Sequence, residues 1–284
     1  MLSQPTAVEA ARVRGAGPLL AYEVVGPRDV EPSDLTLLCM HGNSSHRGIW
    51  RLVARQLGDY RCVLLDLRGH GDSEHVAPPA YDPAHHAGDV AQVIAGLALE
   101  RYAILGHSAG ALAAARFIVD VQGATGVAAP AAFVWVDIDP LVPRWQVDYF
   151  RQRVSAMARV YKSVDDVIDG FRRMYPDVAA ERLRSFVIEG MHQVDDGWRM
   201  KLDPATYATW EPGDLRADVA KIVLPTLVLR GAASRGSSAA GAQMLRAALP
   251  NGTLREFDGA SHLLLLEQPE LIATTISEFL HRAV

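Results

Sequence analysis

Short, wholly or nearly apolar runs at 35–40, 62–67, 102–105, 132–136 and 226–229 alternate along the chain with segments of helical period. A run of that length suits a strand buried on both faces, because a parallel sheet covered by helices on both sides has no solvent face. Between the second and third runs, Val90, Val93, Ile94 and Leu97 fall at i, i+3, i+4 and i+7, which places them on one stripe of a helix. Ile272, Ile276, Phe279 and Leu280 do the same near the C-terminus, and Pro269 suits that helix's first turn, where its missing N–H costs nothing. The alternation predicts an α/β architecture, a mostly parallel sheet flanked by helices.

From 141 to 214 the alternation stops. This stretch carries helical segments rich in Arg, Met and aromatic residues, broken near Pro176, Gly190 and Pro204. It is far longer than an ordinary crossover connection, so it reads as a helical cap inserted into a core formed by 1–140 and 215–284. Trp50, Trp135, His107, Tyr149, Phe150, Tyr161, Met191 and Trp198 are candidates to line a pocket between core and cap, although most buried aromatics simply fill a core.

The run Tyr102-Ala103-Ile104-Leu105 leads directly into Gly106-His107-Ser108-Ala109-Gly110 and then into small helix-forming residues. A serine on a sharp strand-to-helix turn needs little bulk two residues to either side, and here both positions are glycine. That context favours Ser108 as a nucleophile over a plain helix N-cap. Three further motifs stand in order: His41-Gly42-Asn43, Asp66-Leu67-Arg68-Gly69-His70-Gly71-Asp72-Ser73 and Gly259-Ala260-Ser261-His262. Together with the elbow they make the chain resemble the α/β-hydrolase fold family over nearly its full length. The resemblance implies that the loop after Met40 faces the elbow, so the backbone N–H groups of Asn43 and Ala109 would form an oxyanion hole. It also places the general base at His262, after a strand-like 253–257 and before the last helix. Asp66 and Arg68 read as structural hydrogen-bonding residues.

The acid departs from the usual pattern. Many family members carry it in the loop after the strand at 226–229, but 231–238 here holds no carboxylate. The preceding strand ends in Asp137-Ile138-Asp139-Pro140, and a minority of the family places its acid at such a strand end. Asp137 is the first choice; Asp139 is the fallback, since strand alternation puts both on one side. A carboxylate there would fix the imidazole tautomer and stabilise the imidazolium. The expected chemistry is hydrolysis of an ester, thioester or lactone of a small apolar substrate through an acyl-Ser108 intermediate. The alternatives are carbon–carbon bond hydrolysis or cofactor-free ring-cleaving oxygenation on the same scaffold, and a non-catalytic small-ligand-binding protein.

Composition narrows the partners. The charge of −5 with a sequence pI near 6.0 and no long basic block gives no footprint for nucleic acid or anionic lipid. No apolar run approaches the roughly 20 residues of a membrane span, and residues 1–11 lack the basic and apolar segments of a secretory leader. The cytoplasm is therefore expected, with a small-molecule carbonyl compound as partner. Cys39 and Cys62 sit in neighbouring strand runs and read as buried thiols. Neither an H-E-x-x-H motif nor a Cys/His ligand spacing occurs, and adjacent His85 and His86 would point to different faces of a helix or strand, so no metal and no organic cofactor is expected.

Overall fold

A computed structural model describes residues 8–27, 30–31 and 34–284; residues 1–7, on which part of the leader argument falls, lie outside the described residues. Eight strands form one sheet: β1 (Val8–Val13), β2 (Leu20–Val25), β3 (Thr36–Met40), β4 (Arg61–Leu65), β5 (Tyr102–His107), β6 (Ala132–Val136), β9 (Thr226–Gly231) and β10 (Gly252–Phe257). Their spatial order is β1-β2-β4-β3-β5-β6-β9-β10. Every pairing from β4 to β10 is parallel, while β2 runs antiparallel to both β1 and β4. The expected α/β architecture is thus observed, with an antiparallel pair added at one edge.

Strand periodicity divides the core in two. Leu37 and Cys39 face one side of the sheet with Val134 and Val136, packed by the helices Arg51–Gln56 and Pro269–Ala283. Leu38, Met40, Phe133 and Trp135 face the other, under the helices Pro83–Gly96 and Ala109–Arg116. The stripe Val90, Val93 and Ile94 is buried there, as is Ile272, Ile276, Phe279 and Leu280 on the opposite side. His86 is buried and His85 exposed, so the two point to different faces of the helix. Cys39 and Cys62 are free, buried thiols.

Residues 141–214 leave and rejoin the core through one bridge, Leu141 opposite Asp214. Between them lie helices at Arg144–Arg151, Val154–Met157, Val164–Met174, Ala180–Glu189 and Ala205–Ala208. The reading of this segment as purely helical needs correction, because β7 (Met191–Val194) and β8 (Gly197–Met200) form an antiparallel hairpin. Gly197, the first residue after its two-residue loop, has φ 144°, and a Cβ there would lie 2.2 Å from the Tyr161 carbonyl oxygen; glycine is required there. No helix among the described residues is long and apolar enough to cross a membrane.

Because the strands from β3 onward are parallel, β3, β5, β6 and β9 all deliver their C-terminal ends to one rim. In such sheets that rim is where ligands bind. The next residues along the chain are His41, Ser108, Asp137 and Ala232.

Candidate active site

Ser108 follows β5 directly and precedes the helix Ala109–Arg116 at φ 54° and ψ −125°, a backbone conformation costly for any residue with a Cβ. The surroundings hold it there. The Ser108 N–H donates to the Val136 carbonyl at 2.8 Å. A Cβ on Gly110 would lie 2.5 Å from the His41 carbonyl oxygen, and one on Gly106 would lie 2.5 Å from the Ala111 Cα. Gly42 completes the packing, since its Cβ would stand 2.6 Å from the Ser108 Cβ. The loop after β3 therefore lies directly against the elbow.

Asp137 follows β6 and also adopts a left-handed conformation, at φ 56°. Its side chain is 1 % exposed. Oδ1 accepts the Gly231 N–H at 2.9 Å, while Oδ2 accepts the Ser234 hydroxyl and the His262 Nδ1–H, the latter at 2.6 Å. With Nδ1 donating to the carboxylate, Nε2 carries the lone pair a base needs. Gly236 leaves room for the ring, since a Cβ there would lie 2.3 Å from Nδ1. The His262 carbonyl accepts from His107 Nε2 at 3.0 Å, tying the backbone of His262 to the residue before Ser108. Burial pushes His107 well below its ordinary value, so it stays neutral beside His262. The Asp137–His262 pair is assembled, while the Ser108 hydroxyl has no hydrogen-bond partner among the described residues. Such contacts are often loose until substrate arrives.

Asp139 turns elsewhere. Its carboxylate accepts from the Ser237 hydroxyl at 2.8 Å and from the Ser238 N–H and hydroxyl, ahead of the helix Ala239–Ala248. The Asn43 and Ala109 amides donate to no protein group among the described residues, and Ala109 is the first residue of its helix, where the N–H has no intrahelical acceptor. Both lie next to Gly42 or Ser108 and are free to meet a developing oxyanion.

Sequence reasoning missed several contributors. Ser44, beside Asn43, has φ 60°, and its hydroxyl bonds the Tyr207 phenol from the 141–214 segment. Tyr207 is buried, and desolvation pushes its phenol up to about 12. Burial also pushes the Tyr175 phenol up, with Tyr149, Glu267 and Asp137 adding to the rise and Arg235 opposing it. These contacts join residues distant in sequence, and no local motif announces them. Ser234, in the loop without a carboxylate, instead donates to Asp137.

Of the pocket candidates, Trp50 and Trp135 are fully buried core residues whose indole N–H groups donate to Met40 and Ile138 carbonyls. Met191 lines a narrow cleft with Ser45, Phe171 and Phe186. Tyr149 is 45 % exposed, and Phe150 packs edge-on against Tyr207 and Trp210. Asp66 accepts from the Arg47 and Asp72 backbone N–H groups, and Arg68 grips Asp89 with two bonds of 2.6 Å.

A family model described as the alpha/beta hydrolase family matches residues 37–275. The chain is 26% identical over 278 residues to a 2-(acetamidomethylene)succinate hydrolase of Mesorhizobium japonicum, covering 95% of this chain and 90% of that protein. It is 26% identical over 282 residues to a non-heme chloroperoxidase of Burkholderia pyrrocinia, covering 91% and 94%. The crystal structure of an E-2-(acetamidomethylene)succinate hydrolase superposes with a TM-score of 0.84 at 24% identity, covering 97% of this chain and all of that one.

Proposed function

We propose, from the premise that this chain belongs to the alpha/beta hydrolase family, that it is a serine hydrolase cleaving an ester, thioester or lactone. The observation that carries the reading is the 2.6 Å contact from His262 Nδ1 to a buried, three-fold hydrogen-bonded Asp137, on the strand rim that also presents Ser108. In this reading His262 Nε2 takes the Ser108 proton as Oγ bonds to the carbonyl carbon. The carbonyl electron pair moves to oxygen, which the Asn43 and Ala109 N–H groups receive. Collapse of the tetrahedral species expels the leaving group, which takes the proton from His262 and leaves acyl-Ser108. Water, deprotonated by the same imidazole, then repeats the sequence and releases the acid. Asp137 keeps its charge throughout and stabilises the imidazolium.

The test is labelling with a fluorophosphonate alongside hydrolysis of p-nitrophenyl esters of graded length. Stoichiometric labelling at Ser108 is expected, together with a loss of at least about 10³ in kcat for Ser108→Ala with the fold intact. An unlabelled protein, or near-native ester turnover by that variant, would overturn the reading.

A further inference from the structure

Asp137 is a buried carboxylate, and among the described residues no Lys or Arg forms an ion pair with it. A buried anion without a cation persists only if hydrogen-bond donors replace the water it has lost. Three donors do so: the Gly231 N–H at Oδ1, and the His262 ring and the Ser234 hydroxyl together at Oδ2. The first is fixed backbone, and the second is the group that the carboxylate serves. Ser234 is the side chain left to set how much of the charge the ring meets.

Its hydroxyl is aimed. The Gly236 N–H donates to Ser234 Oγ at 2.9 Å, across a turn of two residues, and the hydroxyl proton points to Asp137 Oδ2. The same turn sets Gly236 against the imidazole, where a Cβ would lie 2.3 Å from Nδ1. The rest of the loop is anchored independently: Ser237 and Ser238 bond Asp139, and the Arg230 guanidinium holds the Ser237 and Ala232 carbonyls. The path of the loop therefore does not hang on Ser234.

We propose that Ser234 is a positioning residue for the base: its hydroxyl, aimed by the Gly236 N–H, pins Oδ2 of Asp137 against His262 Nδ1 and draws carboxylate charge away from the ring, favouring the neutral imidazole that can accept the Ser108 proton. The Ser234 bond is strongest while Asp137 faces a neutral ring and weakens once an imidazolium neutralises the carboxylate, so it favours the neutral form. The other titratable or charged groups around the pair keep their own partners or their neutral form. His107, at the end of β5, lies 4.7 Å from the His262 ring, centre to centre, and is held neutral by burial. Glu267, on the helix after His262, accepts the Ser261 N–H and hydroxyl. Tyr175 of the 141–214 segment has a raised phenol, and Arg235 follows Ser234 in the loop. The proposal rests on the reading of His262 as the base.

A histidine titration tests it without turnover. In Ser108→Ala protein with isotopically labelled histidines, the His262 signals are identified by their loss in His262→Gln and followed against pH by NMR. Adding Ser234→Ala should raise the proton affinity of His262 about three- to tenfold, the part of one charge-assisted hydrogen bond that differs between the two ring states. Ser234→Thr keeps the hydroxyl and should return the affinity to within about twofold. Ser237→Ala breaks a contact of the same loop with Asp139 and should leave it unchanged. With Ser108 present, Ser234→Ala should move the acid limb of kcat/KM for a p-nitrophenyl ester to higher pH by the same factor. An unchanged or lower proton affinity in Ser234→Ala, no recovery in Ser234→Thr, or an equal rise in Ser237→Ala would overturn the proposal. The titration involves no acyl transfer, so its failure is distinct from a failure of labelling at Ser108.

Discussion

Asp137→Asn preserves shape and removes charge, and the hydrogen bonds around the carboxylate say what must follow. Oδ1 accepts from the Gly231 N–H at 2.9 Å, and Oδ2 accepts from the Ser234 hydroxyl and from His262 at 2.6 Å. An asparagine has one acceptor oxygen and one donor NH₂. If the NH₂ faced Gly231, two donors would oppose each other in a site 1 % exposed, with a penalty of about 1–3 kcal/mol. The other orientation keeps the Gly231 bond and lets Ser234 accept, but points an N–H at His262 Nδ1. The ring then shifts its proton to Nε2, the nitrogen that has to accept from Ser108. The fold should survive while the base is lost, with kcat falling about 10⁴-fold, or roughly 5 kcal/mol of barrier. The assay is kcat on a p-nitrophenyl ester beside a thermal melt, with Asp139→Asn as control, since Asp139 holds Ser237 and Ser238 and does not touch His262. A loss under tenfold in Asp137→Asn with an unchanged melt, or a larger loss in Asp139→Asn, would refute the reasoning.

Three other outcomes are expected. Tyr207→Phe removes the phenol that fixes Ser44, so it should lower kcat several-fold with little change in KM; recovery of activity in the Ser44→Gly background, which needs no such support at φ 60°, would link the effect to the loop, and an unaltered kcat would exclude it. Burial holds His41 and His70 down to about 3 against an ordinary 6.5, so they stay neutral in the folded chain while the unfolded chain takes up their protons as pH falls through 6.5. Stability is thus complete above about pH 6.5 and is lost toward pH 3 at a limiting rate of about 2.7 kcal/mol per pH unit from these two alone; urea midpoints unchanged between pH 7.5 and 5 would contradict this. Ser108→Gly relieves a left-handed backbone that Ser108→Ala retains, so the glycine variant should be the more stable of the two by about 1 kcal/mol in denaturant unfolding, and the reverse order would show that the elbow is unstrained.

The strands that carry the site were readable because each is buried on both faces and so leaves a continuous apolar run, as at Thr36–Met40 and Ala132–Val136. The antiparallel pair at the sheet's edge leaves no such run: Val8–Val13 includes Glu9 and Arg12, and Leu20–Val25 buries Glu23 against Arg51. The β7–β8 hairpin was hidden for a related reason, since its four-residue strands are too short for period two to stand out from a helical background. The glycines around Ser108 were legible because their requirement is local and steric. Tyr207 was not, because what brings it to Ser44 is the packing of a segment whose sequence records only amphipathic helices.

Asp137 and Asp139 show where period-two reasoning ends. Alternation assigns both to one side only while the strand continues, but β6 stops at Val136 and Asp137 turns to φ 56°. That turn swings its carboxylate under His262 and frees Asp139 to anchor Ser237 and Ser238. Ser108 and Ser44 depart from ordinary backbone in the same way, so three of the four described non-glycine residues with positive φ belong to this one site. Each such conformation costs about 1–3 kcal/mol and persists only where its neighbours over-determine it. Here the neighbours are rigid: Ser108 is tied to the end of β6, Asp137 to the end of β9, and Ser44 to a buried phenol. The ends of the parallel strands therefore hold Ser108 and Asp137 away from their relaxed geometry, while Ser44 is held from the 141–214 segment, and the strain is gathered at the candidate site.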